Sequence, residues 1–319
     1  MTCLVDDTYA EAFRSISAEV LVTARDRYWL EQAASAATGH ASSTIFCDCE
    51  AGIDRFIGPG GDESIETPDG RPGVVLQFHV PRFVKNRERH LEKTLLHRLS
   101  QNILTCPTTR CFNLLQTDNF FKLGRKIALF GDGFQFRDQR YDRSVWVIPI
   151  MGGEFVLDRR FGFRDSLMGG NLWFMGETED AAIEATQNAL QAVHATPGVI
   201  TPFPGGIAAS GSKAGSRYSF LIASTNEPFC PTLREQLGDR CQLPDGVSCV
   251  MEIIINGHDL ETVTRATHAG IAAAVETPGL ARISAGNYGG RLGRTSSTCG
   301  RRQLRPTVRS RWPDANSIV

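Results

Sequence analysis

A Pro-Asp-Gly turn running into an apolar strand occurs twice, at Pro68 and again at Pro244. The second copy, Pro244 to Gly257, reads PDGVSCVMEIIING. It has the form of a strand entered through a tight turn and left through Asn256-Gly257. In the first copy, Pro68-Asp69-Gly70 leads through Arg71-Pro72-Gly73 into Val74-Val75-Leu76-Gln77-Phe78. Superposing the two turns sets Leu76 against Glu252. One copy carries an ordinary core residue where the other carries an acid. A carboxylate in so apolar a run must find a partner or stay protonated, because burying a bare charge costs too much. Two readings stay open. Glu252 either faces solvent or pairs with an arginine, since Val250, Glu252 and Ile254 share one face, or it is an acid perturbed for chemistry.

The same order of elements surrounds each copy. In the first half the patterning predicts a strand at 19–24, a helix at 26–37 closed by a left-handed Gly39, and a strand at 43–48. A strand at 74–80 follows, then a helix near 87–104 with Leu91, Leu95, Leu96 and Leu99 on one face, and an extended piece after Pro107. The second half predicts a strand at 171–175, an Ala-rich helix at 179–193 and a strand opening at Val199. The Glu252 strand comes next, then a helix to Val275 with Asp259 as its N-cap and a last strand near 281–285. Both halves read β-α-β…β-α-β, the split βαβ or ferredoxin-like unit. The predicted class is α+β: two such lobes related by internal duplication, with a ligand cleft between them. The expected divisions are a first lobe at 1–125, a β-rich insert at 126–165, a second lobe at 166–293 and an Arg-rich, disordered tail at 294–319. In the insert, LFGDGF, SVWVIPI and GGEFVLD read as short strands of a meander or oligomer arm.

Composition narrows the function classes. The net charge is −1, which gives no reason to expect nucleic acid or an anionic membrane as partner. No apolar run approaches a membrane-spanning length, and the N-terminal segment carries acids where a signal peptide is basic. A cytoplasmic protein is expected. The nine cysteines then read as free thiols. With no C-x-x-C pair and no H-E-x-x-H or H-x-H, no metal site is expected.

Polar chemistry concentrates in loops of the second half. Phe203–Ser216 reads FPGGIAASGSKAGS and Ala223–Glu227 reads ASTNE. Glycines there let backbone N–H groups approach a ligand, and Ser210, Ser212, Lys213 and Asn226 supply directed donors. The order is not that of a nucleotide-binding P-loop. Serine with Lys213 could form a nucleophile pair, although adjacent residues seldom meet side chain to side chain, and a flexible surface loop is the plainer alternative. Asn287, after the last strand, has similar standing. Asp54 and Arg55 either line the same cleft or form a surface pair of little weight.

Ten segments in order, among them EAGID (Glu50–Asp54), LFGDGFQ (Leu129–Gln135), TPFPGGIAASGSKAGS (Thr201–Ser216), ASTNEPFCPT (Ala223–Thr232), LPDGVSCVMEIIING (Leu243–Gly257) and ISAGNYGGRLG (Ile283–Gly293), resemble the formylmethanofuran–tetrahydromethanopterin N-formyltransferase family. The resemblance covers nearly all of the chain up to Gly293. It implies two ferredoxin-like lobes, a homodimer or homotetramer, and reversible formyl transfer between methanofuran and tetrahydromethanopterin as co-substrates, with no bound cofactor or metal. It places the family's catalytic carboxylate on Glu252. The near-neutral charge and the excess of Arg over Lys point to a bacterial relative, a subunit of a formyltransferase/hydrolase complex. The chain departs from the pattern at its end, where Arg291-Leu292-Gly293 runs into the Arg-rich tail in place of a short His-containing segment. A non-catalytic scaffold subunit of such a complex and a Ser/Lys formamide amidase are the alternative readings.

Overall fold

The structure, a computed structural model, describes residues 3–286 and 295–298. The first half runs β1 (Leu4–Val5), β2 (Tyr9–Thr23), α1 (Arg27–Thr38), β3 (Glu50–Ile57), β4 (Gly73–Pro81), α2 (Arg87–Arg98, prolonged by a π-helical turn at Leu99–Ile103) and β5 (Arg110–Asn113). The connecting segment holds β6 (Phe120–Phe121), α3 (Leu123–Ala128), β7 (Phe136–Arg140), β8 (Arg143–Ile150), β9 (Gly153–Asp158) and β10 (Phe161–Gly162). The second half begins with β11 (Arg164–Gly169), β12 (Asn171–Gly176), α4 (Glu179–His194) and β13 (Val199–Ile200), followed by β14 (Lys213–Ala214), β15 (Ala223–Ser224) and the short α5 (Arg234–Leu237). It closes with β16 (Cys249–Ile254), β17 (Asn256–Gly257), α6 (Leu260–Ala274), β18 (Leu280–Ala285) and β19 (Thr295–Thr298).

Alternation along the strands decides the layers. In the first half the strands lie in the order β3-β4-β2-β5, all antiparallel. Val20, Val22, Leu76, Phe78 and Val80 form one core with Leu30, Ala33, Leu91, Leu95 and Leu99 of α1, α2 and its extension. In the second half β18, β12 and β16 pair antiparallel, and β17 continues past Ile255 to pair with β13. Leu172, Phe174, Ile253 and Ile283 pack there with Ala185, Ala189, Val263 and Ala266 of α4 and α6. Asp259 caps α6 as expected, accepting from Thr262 N at 2.8 Å. Strand β11 joins the halves by pairing with both β2 and β17, and β1 crosses into the second-half sheet to pair with β18.

Several expectations fail for local reasons. Residues 43–48 form turns rather than a strand. Glu50 accepts from Thr44 N at 3.2 Å and Asp48 pairs with Arg98 at 2.6 Å, and such bonds compete with a sheet ladder. Gly39 is not left-handed; His40 takes the positive φ of 50°. LFGDGF is a 3₁₀ turn at Leu129–Gly131 and an αL residue at Asp132 rather than a strand. Thr295–Thr298, expected within a disordered tail, pairs with β2 at Tyr9–Ala12, beyond the point where β4 stops at Ser15. Unpaired strand edges favour such an addition. The superposition of Leu76 on Glu252 matches residues of opposite sheet faces. Leu76 lies in the helix-facing core, whereas Glu252 lies on the face away from the helices, and a slip of one residue exchanges the faces.

Candidate active site

Strand β16 delivers Glu252 to that far face, where Trp173, Met175, Leu243 and Val247 form an apolar cluster with Phe229 and Val250 packed against it. The residue is only 5% exposed. In register, Trp173 of β12 stands opposite Glu252. The indole Nε1–H donates to Glu252 Oε1 at 2.9 Å, and Asn171 Nδ2 donates to the same oxygen at 2.7 Å. No arginine or lysine pairs with Glu252 among the described residues. Among the described residues, therefore, neither the solvent-facing nor the Arg-paired reading holds. Burial pushes the carboxyl above the ordinary glutamate range, and the Trp173 and Asn171 donors hold it partly back. A buried carboxyl held by neutral donors, with its pKa raised, is the kind of group that general acid–base chemistry uses.

The loop between β13 and β16 covers this face. Ala208 N donates to Glu252 O at 2.8 Å and Glu252 N to Ala208 O at 2.9 Å, a two-bond antiparallel bridge. Upstream, Gly206 holds a φ of +80°, and a Cβ there would come within 2.5 Å of Leu190 Cδ1. The loop can turn onto the strand only because that position is glycine. The bridge sets Ser210 two residues beyond Ala208, with Ser212 and Lys213 following. Ser210 is exposed; Ser212, Lys213 and Asn226 are half-buried. Lys213 Nζ is held by Glu227 at 2.5 Å, and Lys213 pairs in register with Ser224 across β14–β15. The Asn226 Cβ lies 3.9 Å from where a Cβ on Gly211 would stand, so the two polar loops meet. Phe229, three residues on, packs on Trp173 with ring centroids 4.6 Å apart.

Asp54 is placed elsewhere. It is buried on β3, accepts from Gln77 Nε2 at 2.7 Å and from Gly198 N at 3.1 Å, and pairs with Arg55 at 2.9 Å. It belongs to a polar layer between the halves, in which Glu19, Asp54 and His258 bring ligand-type atoms within 4.8 Å of one another. Glu19 faces His258 Nε2 at 2.8 Å and Arg164 at 3.3 Å. Asn287 lies outside the described residues. The donors Asn171 and Trp173 escaped notice in the sequence. Their signal was present, because both fall on one face of NLWFM, but it becomes readable only once β12 is known to neighbour β16.

The profile described as formylmethanofuran-tetrahydromethanopterin formyltransferase matches residues 1–150, and that of the same family's proximal lobe matches residues 153–299. The chain is 43% identical over 295 residues to the formylmethanofuran–tetrahydromethanopterin formyltransferase of Methanocaldococcus jannaschii, covering 91% of this chain and 94% of that one. This chain belongs to the formylmethanofuran–tetrahydromethanopterin formyltransferase family. The Archaeoglobus fulgidus member is 44% identical over 91% of this chain and 95% of its own. The solved Methanosarcina barkeri formyltransferase superposes with a TM-score of 0.86 at 42% identity, covering 93% of this chain and 97% of that one. A chain of the formyltransferase/hydrolase complex (FhcABCD) from Methylorubrum extorquens, solved with methylofuran, gives a TM-score of 0.84 at 40% identity over 92% and 94% of the two chains. Family membership accordingly extends over both halves of the fold.

Proposed function

We propose that the chain transfers a formyl group reversibly between methanofuran, or a close analogue, and tetrahydromethanopterin, with Glu252 as the proton shuttle. The observation that carries the role of Glu252 is a buried carboxyl, paired with no cation among the described residues, whose backbone is stitched to a loop of small polar residues. The acceptor nitrogen attacks the formamide carbon of the donor, and a tetrahedral intermediate forms. Glu252 takes the proton from the attacking nitrogen and returns it to the departing one as the original C–N bond breaks. Donors must meet the developing oxyanion, and Ser210, Ser212 and Asn226 on the covering loops are the candidates. Lys213, already paired with Glu227, is better suited to hold the loop than to deprotonate a serine, which counts against a Ser/Lys amidase. Direct transfer needs no covalent enzyme intermediate and no bound cofactor, because both substrates are held together.

The antiparallel orders β3-β4-β2-β5 and β13-β17/β16-β12-β18 support two ferredoxin-like lobes, divided as 1–125 and 166–293 around a connecting arm at 126–165. That arm exposes Leu129, Phe130, Phe134, Phe136 and Met151. An apolar patch of this kind suits a homo-oligomer contact. No described helix is long and apolar enough to cross a membrane, in keeping with a cytoplasmic enzyme. The relative solved within a formyltransferase/hydrolase complex supports partner subunits here as well, and a non-catalytic scaffold role is the second reading.

Formyl transfer by the purified chain, wild type against Glu252→Gln, separates these readings. The wild type is expected to turn over and the variant to lose roughly 10²- to 10⁴-fold in kcat. A fully active variant would remove Glu252 from the mechanism, and a folded but inactive wild type would favour the scaffold.

A further inference from the structure

We propose that the connecting segment carries a second ligand site, for a small molecule bearing two or more oxyanion groups, phosphoryl or carboxylate, separate from the Glu252 face. The site is a cavity of about 420 Å³ lined by Lys122, Arg125, Arg137, Trp146, Arg159 and Arg160. Five of its six lining residues are cations, in a chain whose net charge is −1. None of the five forms an ion pair with a carboxylate among the described residues, although the same strands do pair charges nearby: Arg140 with Asp138 and Glu154, Arg143 with Asp158.

The convergence is built, not accidental to one loop. Arg137 and Trp146 stand opposite each other on β7 and β8. Lys122 and Arg125 come from the start of α3, and Arg159 and Arg160 follow β9. The packing of α3 on the end of β9 fixes the last two pairs together. A Cβ on Gly124 would sit 2.1 Å from Asp158 O and 2.9 Å from Arg159 Cα, so only glycine permits this approach. Arg159 is further oriented by its Nη1–H bond to Ser144 Oγ at 3.1 Å, and Arg160 lies over the Phe120 ring at 4.3 Å. A neighbouring cavity of similar volume shares Arg159 and Arg160, but there Asp142 and Asp158 join the lining. The uncompensated charge is therefore confined to the first cavity.

Guanidinium forks hold phosphate and carboxylate oxygens in pairs, and the volume suits a molecule larger than one inorganic ion. A single anionic group can contact only some of the five cations at once. A ligand with several negative groups satisfies them together.

Calorimetric titration of the full chain with tripolyphosphate and with citrate, in low-chloride buffer, tests the site. Binding of either probe is expected, weakening at least tenfold between 50 and 200 mM salt, in the manner of multiple ionic contacts. The variant Arg125→Gln/Arg160→Gln is expected to bind at least tenfold more weakly while its formyl transfer and melting temperature match the wild type. Lys122→Gln, at an exposed position, gives the same test by a smaller loss should the double variant fold poorly. Tripolyphosphate alone binding would identify a phosphoryl ligand, citrate alone a polycarboxylate, and both the shared chemistry. No binding by the wild type, or binding that the variants leave unchanged, overturns the proposal. These outcomes are independent of whether Glu252 is the catalyst.

Discussion

Glu252 is defined by what surrounds it. Its two side-chain donors, Trp173 Nε1 and Asn171 Nδ2, both stabilise the charged form against the desolvation that raises its pKa. Removing one donor must push the pKa further up. Trp173→Phe keeps the ring packing against Phe229 and removes the indole N–H alone. The acid limb of its pH–rate profile is expected to move to higher pH than in the wild type, with rates converging on the alkaline side. A limb that stays in place would mean that the indole does not set the proton affinity of the site. The acid itself was legible in the sequence as a conflict between burial and charge. Its donors were not, because they lie on another strand and register cannot be read from either strand alone. Asp54 was legible only as a polar residue. The bonds that place it between the halves, to Gln77 and Gly198, span distances along the chain that no local pattern records.

At the scale of elements, short periodic segments with caps were readable and β2 was not. The pattern marks a strand at 19–24, yet β2 runs from Tyr9 to Thr23. Its first part carries Glu11, Ser15, Ser17 and Glu19, all buried, which breaks the hydrophobic signal. The two serines are satisfied across the fold, Ser15 facing His79 and Ser17 bonded to Ser166 at 2.6 Å. The covering loop makes the opposite case. Its composition announced ligand chemistry, but its attachment to β16 rests on one backbone bridge at Ala208. Ala208→Pro removes the N–H that donates to Glu252 O. The loop lies outside the helix-packed core, so urea unfolding is expected to shift by no more than about 1 kcal/mol. Under the proposed mechanism turnover depends on where Ser210, Ser212 and Asn226 sit, and a misplacement of this kind is expected to cost on the order of 10²-fold in kcat/KM. Parallel losses of stability and activity would show instead that the loop is part of the folding core.

For the whole molecule, the joint between the halves is a polar layer, and this makes its stability depend on pH in a definite direction. His79 is wholly buried; its Nε2 contacts Gln77 Oε1 at 2.9 Å, and Gln77 Nε2 donates onward to Asp54 at 2.7 Å. Burial, with His258 and Arg164 nearby, pushes its pKa down from 6.5 to about 3. Between those values the unfolded chain takes up a proton that the folded chain refuses. Stability tied to His79 is therefore complete above about pH 6.5 and falls as pH drops toward 3, by at most about 1.4 kcal/mol per unit. Glu50 and Glu252 act in the opposite sense, since their raised pKa values favour the folded state as pH falls toward the ordinary glutamate range. The raw stability curve mixes these contributions, and the difference between wild type and His79→Gln isolates one of them. Urea unfolding at pH 4.5, 5.5, 6.5 and 7.5 is expected to show the wild type losing stability relative to the variant at each step below 6.5, with no relative change above it. A flat difference would require His79 to take up its proton in the native joint as readily as in the unfolded chain. In that case the bonds through Gln77 to Asp54 would not keep the buried imidazole neutral against the proton.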